Sequence, residues 1–252
     1  MDKICARAMK SNPSKIFLTA EWRCLAMLNY EIDPAVLALF VPARTELDFW
    51  NGRTHVSLVG FHFQNTRVCG ISIPFHRHFE EVNLRFYVRR KAEDGWRRGV
   101  VFIKELVPRK AIAFVARKFY SENYLALPMS HRIETFQGEI KSASYIWRLN
   151  GRESFLKATT RGQAQPLVDG SLQEFITEHY WGYATQRDGL TMEYAVEHPR
   201  WRIWETQTAE FHCDAANLYG ERFCECFNRP PSSAFLADGS EVKVRSGIKL
   251  KT

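Results

Sequence analysis

Polar and apolar residues alternate strictly over residues 81–88, where Glu81, Asn83, Arg85 and Tyr87 interleave with Val82, Leu84, Phe86 and Val88. A period of two is the signature of a β-strand, so four hydrogen-bonding side chains share one face and four apolar ones the other. The polar stretch 91–95 separates this strand from 96–106, which predicts an antiparallel hairpin. Residues 46–49 and 54–63 flank Asn51-Gly52, a pair that readily takes positive φ, and this predicts a second hairpin. Residues 133–149 read as further strands turning near Gly138 and at Asn150-Gly151, and strand-like segments recur at 190–198, 202–210 and 241–245. Helical signals are short. Asp33-Pro34 opens one that stops at Val41-Pro42, and Ile112, Val115, Ala116 and Phe119 recur at helical spacing over 111–120. Ser171 and Glu174 have capping-box spacing ahead of a helix to about Tyr180, and 215–222 carries a further helical signal before the loop at Arg229-Pro230-Pro231. So many antiparallel strands need closure to avoid exposed edges, which predicts a mainly β, α+β chain built as a barrel or a strongly curved sheet.

Composition narrows the class. With 45% hydrophobic and 25% charged residues over 252 positions, the chain has the balance of a globular protein. No repeat or linker divides it, so residues 1–252 are expected to form a single domain. The net charge of +7 is spread along the chain. That favours a solvated basic surface or an acidic small-molecule partner; nucleic-acid binding ranks last, because aromatic residues are not interleaved with a basic stripe. Cysteines at 5, 24, 69, 213, 224 and 226 contain no Cys-x-x-Cys, so neither a metal nor any other cofactor is expected. No signal-peptide-length or membrane-spanning apolar run is present, and a cytoplasmic protein without a membrane partner is expected. Hydrolase nucleophile elbows, phosphate loops, dinucleotide fingerprints and His-Glu-x-x-His are all missing from the sequence.

The polar row of 81–88 either faces solvent or looks into a cavity. In a cavity it would present an acid, an amide, a cation and a phenol, enough to hold a small oxyanion-bearing ligand. Across the hairpin, Val100, Val101, Phe102 and Ile103 are apolar on both faces until Lys104. A desolvated lysine there has a lowered pKa and could attack a carbonyl, although a lysine at a strand end more often reaches outward to water. Glu105 points to the opposite face from Lys104. Arg109, Lys110, Arg117 and Lys118 read first as a solvated basic face and second as acid-binding groups. His131 and His198 lack partners at metal or catalytic spacing and are expected to be structural.

Several segments in order resemble the YqjF-like family of the acetoacetate-decarboxylase-like superfamily. They are 32–42 with Glu46-Leu47-Asp48, Asn51-Gly52-Arg53, 79–88, Gly99-Val100-Val101-Phe102, Ala116-Arg117 with Tyr124, 175–183 (FITEHYWGY) and Glu197-His198-Pro199-Arg200-Trp201. The resemblance covers nearly the whole chain and implies an antiparallel, cone-like β-barrel with short peripheral helices and a ligand cavity. In the decarboxylase branch a lysine beside a second lysine forms a Schiff base with a β-keto acid. The comparable stretch here is Lys104 to Lys110, a couple of residues shorter, with Arg109 where the first lysine would fall and Lys110 at the helper position. Arginine stays protonated and cannot form that imine. Glu31 after Tyr30 stands where the decarboxylase has an arginine, and Glu81 keeps the acidic position.

The resulting expectation is a barrel binding a small organic acid or carbonyl compound. Asn83, Arg85, Tyr87, Arg109 and Tyr124 would contact the ligand, with Arg85 on its carboxylate. An enzyme of this design would carry out a lyase-like or isomerase-like step with Lys104 or Lys110 as amine and Glu81 as acid or base. The alternative is a non-enzymatic sensor or carrier with the pocket and no reactive amine. A homo-oligomer is compatible with either.

Overall fold

Strand β1 (Ile16–Ile32) pairs along both of its edges, and the rest of the sheet is laid out from it. The computed structural model describes residues 14–110 and 123–250. The helix expected over 111–120, with Arg117 and Lys118, lies outside these residues. The other strands are β2 (Glu46–Leu47), β3 (Thr54–Val68), β4 (Phe79–Ala92), β5 (Gly95–Val107), β6 (Tyr124–Ala126), β7 (Met129–Phe136), β8 (Glu139–Leu149), β9 (Arg152–Pro166), β10 (Trp181–Thr185), β11 (Thr191–Glu197), β12 (Arg202–His212), β13 (Ser233–Arg245) and β14 (Ile248–Leu250).

All fourteen belong to one sheet. Strand β1 lies between β3 and β13, β3 pairs with β4 and β4 with β5. Strand β5 takes β10 as its next neighbour, β10 pairs with β11, and β11 reaches β13 through Val196–Val244 and Glu197–Lys243. The strands β13, β1, β3, β4, β5, β10 and β11 therefore form a ring. The sheet is mixed, not antiparallel as expected, because β5 runs parallel to both β6 and β10. Parallel neighbours need a long connection, and the β7–β8–β9 meander and a helix intervene between β5 and β10.

The hairpin expected about Asn51-Gly52 is not formed. The turn itself exists, with φ of 48° and 78° and reciprocal hydrogen bonds of 3.0 Å between Trp50 and Arg53. Its incoming strand β2, however, pairs with β4 through Glu46–Arg89, while the start of β3 pairs with the end of β1 through Thr54–Ile32. Long-range pairing overrides the local turn. The expected β4–β5 hairpin is present, and the strands expected over 133–149 are β7 and β8, which the turn at Asn150-Gly151 extends into β9.

The helices are short: α1 (Pro34–Ala38), α2 (Leu172–Thr177), α3 (Ala215–Tyr219) and α4 (Cys224–Phe227). Asp33 caps α1 by accepting from Ala35 N at 2.8 Å. Ser171 Oγ accepts from Glu174 N at 3.1 Å, and Glu174 Oε2 accepts from Gly170 N at 2.6 Å, so α2 starts where its sequence predicts but ends at Thr177. No helix among the described residues is long and apolar enough to cross a membrane.

Ring strands are buried on both faces. Inward residues such as Val59, Phe61, Phe63 and Phe79 form one apolar cluster. Leu58, Leu84, Phe86 and Ile103 on the other face pack with Tyr145, Trp147 and Leu156 of the β7–β9 layer. Burial on both sides explains the unbroken apolar run 100–103. Gly60 permits this contact: a Cβ there would stand 2.5 Å from the Tyr145 ring.

Candidate functional site: an acid-lined cavity inside the strand ring

The interior of the ring holds a cavity of ≈ 210 Å³. Strand register sets the order of its walls. Leu18 pairs with both Val68 and Val244 near one end; next come Trp22, Phe63 and Phe79; then Phe61 opposite Glu81, Val59 opposite Asn83, and Ser57 opposite Arg85. Apolar walls thus give way to polar ones along the axis. Trp22 and Leu25 both reach the cavity because β1 bulges at Cys24, whose φ is 57°.

The strand pattern of 81–88 places Glu81, Asn83 and Arg85 on the cavity wall. Tyr87 continues the same face but is not a wall residue. Its hydroxyl is 2.5 Å from Ser57 Oγ, which donates to Asn29 Oδ1 at 2.6 Å, and Asn29 Nδ2 donates to Ser233 Oγ at 2.9 Å. This buried chain sits beyond Arg85, whose guanidinium lies 5.8 Å from the centre of the Tyr87 ring.

Arg85 is 9% exposed. Its Nη2 donates to Ile176 O at 3.3 Å, its Nε is buried without a partner, and no carboxylate among the described residues forms an ion pair with it. Asn83 Nδ2 donates to Glu81 Oε1 at 3.0 Å, and Tyr124 OH donates to Glu81 Oε2 at 3.3 Å. Since a carboxylate only accepts, the amide nitrogen of Asn83 must face Glu81, which leaves Asn83 Oδ1 buried and unused.

Lys104 and Glu105 fall differently from a plain alternation. The β4–β5 register runs Asn83–Glu105, Leu84–Lys104, then Arg85–Phe102, with one extra residue on β5. A bulge of this kind reverses the facing of everything beyond it. Phe102 and Glu105 therefore line the cavity, while Lys104 stands opposite Leu84, on the face away from it. Burial pushes the half-buried Lys104 amine below its ordinary pKa. Arg109 and Lys110 are exposed beyond the end of β5 and are not wall residues. Among the described residues no lysine lines the cavity.

Two histidines the sequence reading treats as structural or passes over complete the polar end. His179, in the turn after α2, is buried against Tyr87 and Phe175 at 4.7 and 5.2 Å between ring centres. Its Nε2 is 3.4 Å from Asp48 Oδ2, which also accepts from Arg98 Nε at 2.6 Å, and its Nδ1 has no partner. Burial lowers its pKa to about 4 against the pull of Asp48. Burial alone would raise the Asp48 carboxyl, but the His179 hydrogen bond and the Arg98 charge outweigh it and hold it below the ordinary range. His198 stacks on Trp201 at 4.3 Å, and its Nδ1 is 2.9 Å from Pro199 O. Burial also takes it to about 4, with the Arg85 charge acting in the same direction. Both imidazoles are neutral at neutral pH. The only sequence signal for them is their place in the family-like segments 175–183 and 197–201.

Cys226 is buried, and its Sγ donates to Phe223 O at 3.0 Å. Among the described residues no group of three or more His, Cys, Asp or Glu side chains is placed to hold a metal ion.

Comparison with known proteins agrees with this architecture. The sequence model of the DUF2071 family, described as an uncharacterized conserved protein, matches residues 19–241. The uncharacterized protein YqjF of Bacillus subtilis is 29% identical over 204 residues, which is 79% of each chain. Among solved structures, acetoacetate decarboxylase from Legionella pneumophila superposes with a TM-score of 0.64 at 13% identity, covering 100% of this chain and 96% of that one. The enduracididine biosynthesis enzyme MppR in complex with pyruvate gives a TM-score of 0.65 at 12% identity, covering 97% and 94%. At such identities the likeness is one of fold.

Proposed function

This chain belongs to the DUF2071 family of uncharacterized conserved proteins, and from that premise we propose that it binds a small organic acid or carbonyl compound inside the strand ring, with Arg85 receiving the ligand's carboxylate. The observation that carries this reading is a buried guanidinium on a cavity wall with no carboxylate partner among the described residues. A buried charge is costly unless paired and hydrogen-bonded, so an anionic ligand offsets a cost the folded protein already bears. Planar guanidinium and planar carboxylate match in two parallel hydrogen bonds. Asn83 Oδ1 offers an acceptor beside it for a hydroxyl or an enol. The acetoacetate decarboxylase fold, shared with an enzyme seen in complex with pyruvate, supports a ligand of this class.

Glu81 is the group we assign to proton transfer on a bound carbonyl compound, with Asn83 and Tyr124 holding its carboxyl group in place. Because no described lysine lines the cavity, an isomerase-like proton shift or plain carriage of the ligand fits the wall better than an imine. Calorimetric titration with 2-oxo acids tests the anchor. Arg85→Ala should weaken binding by at least about tenfold, the scale of a lost charged hydrogen bond. Unchanged affinity in a folded Arg85→Ala protein would remove the proposal. Borohydride treatment in the presence of the same acids should add no mass to the protein. A trapped adduct would return the imine route to first place.

A further inference from the structure

The cavity continues well past the groups that an acid needs. From Arg85 outward to Phe79, strand rise alone spans roughly 20 Å, and from the level of Glu81 outward the wall carries Phe61, then Phe63, Phe79 and Trp22. These rings pack edge-to-face, tilted or stacked at 4.5–6.0 Å between centres, which gives them fixed positions around an apolar channel. A three-carbon acid at Arg85 would leave this aromatic collar facing water. An apolar cavity of about 150 Å³ holds benzene. A volume of ≈ 210 Å³ with a cation at one end therefore suits a ring or a short alkyl chain together with its acid group.

We propose that the ligand is an amphipathic organic acid, with its carboxylate at Arg85 and an aryl or medium-length alkyl tail lying between Phe61, Phe63, Phe79 and Trp22. This specificity rests on the reading of Arg85 as the carboxylate anchor. The aromatic collar selects by the apolar area it removes from water, so affinity grows with tail size until the channel is full.

Titration of the whole protein with pyruvate, 2-oxohexanoate and phenylpyruvate, followed by calorimetry, tests this. Affinity should rise roughly fourfold per added methylene, making 2-oxohexanoate and phenylpyruvate tens-fold tighter than pyruvate. Phe79→Leu, a substitution that keeps an apolar side chain, should weaken the two tailed acids several-fold and leave pyruvate within about twofold. Equal affinities across the series, all lost in Arg85→Ala, would overturn the tail and leave the anchor standing. Hexanol binding as tightly as 2-oxohexanoate would overturn the carboxylate anchor, and no acid binding at all would overturn the anchor and the tail with it.

Discussion

Glu105 stands directly opposite Asn83 in the β4–β5 ladder, and both side chains are buried on the cavity wall. Lys104, one residue away, is turned to the other face by the bulge. Lys104→Ala should therefore leave organic-acid affinity within about twofold, whereas Asn83→Ala should weaken it several-fold through loss of a buried polar contact. Calorimetry on the two variants decides it, and a large loss on Lys104→Ala would mean that the amine reaches the ligand.

Glu193 has a fully buried side chain yet serves two cations. Arg90 donates to it at 2.6 and 3.1 Å, Arg97 Nη1 at 2.5 Å and Tyr183 OH at 3.0 Å. It ties β11 to the β4–β5 hairpin past the intervening strand β10. Glu193→Ala should cost about 3–5 kcal/mol, because the partly buried Arg90 guanidinium loses its carboxylate and Arg97 is left with Asp94. Urea denaturation measures this, and a loss below about 1 kcal/mol would show that the cluster is not structural.

Acid should weaken the fold well above the carboxylate range. His179 and His198 take up a proton near pH 4 when folded and near 6.5 when unfolded. Between those values the unfolded chain binds more protons, so stability falls as pH drops from about 6.5 towards 4. The slope is at most about 1.4 kcal/mol per pH unit for each histidine, and it ends below pH 4. Denaturation curves from pH 7.5 to 4.5 should show the loss, and His198→Gln should make it shallower. A flat profile would place both imidazoles in contact with water.

Two glycines with the same backbone angle should respond differently to alanine. Gly138 has φ 80° with nothing within 4 Å of a Cβ, so Gly138→Ala should cost only the left-handed strain of about 1–2 kcal/mol. Gly239 has φ 79°, but its Cβ would stand 1.9 Å from the Trp22 carbonyl at the β1 bulge. Gly239→Ala should add about 1–3 kcal/mol for displacing that backbone. Equal melting temperatures for the two variants would contradict the contact.

Sequence pattern alone determined β2 to β5, β7, β8, β11 and β12, the α1 and α2 caps, and the shared facing of Glu81, Asn83 and Arg85, because each depends on spacing within one segment; β1, β9 and β10 were not legible in it. Family-like segments spread along the chain also carried the family assignment. The partners of those strands depended on the tertiary structure. The Asn51-Gly52 turn formed without its hairpin, since β2 and β3 gain more by pairing with β4 and β1. Parallel placement of β10 beside β5 follows from a long crossover that has no local signature. Above all, one extra residue in β5 moved Glu105 into the cavity and Lys104 out of it. Alternation shows which residues share a face only as far as the next bulge, and a bulge is a property of two paired strands, not of either one's sequence.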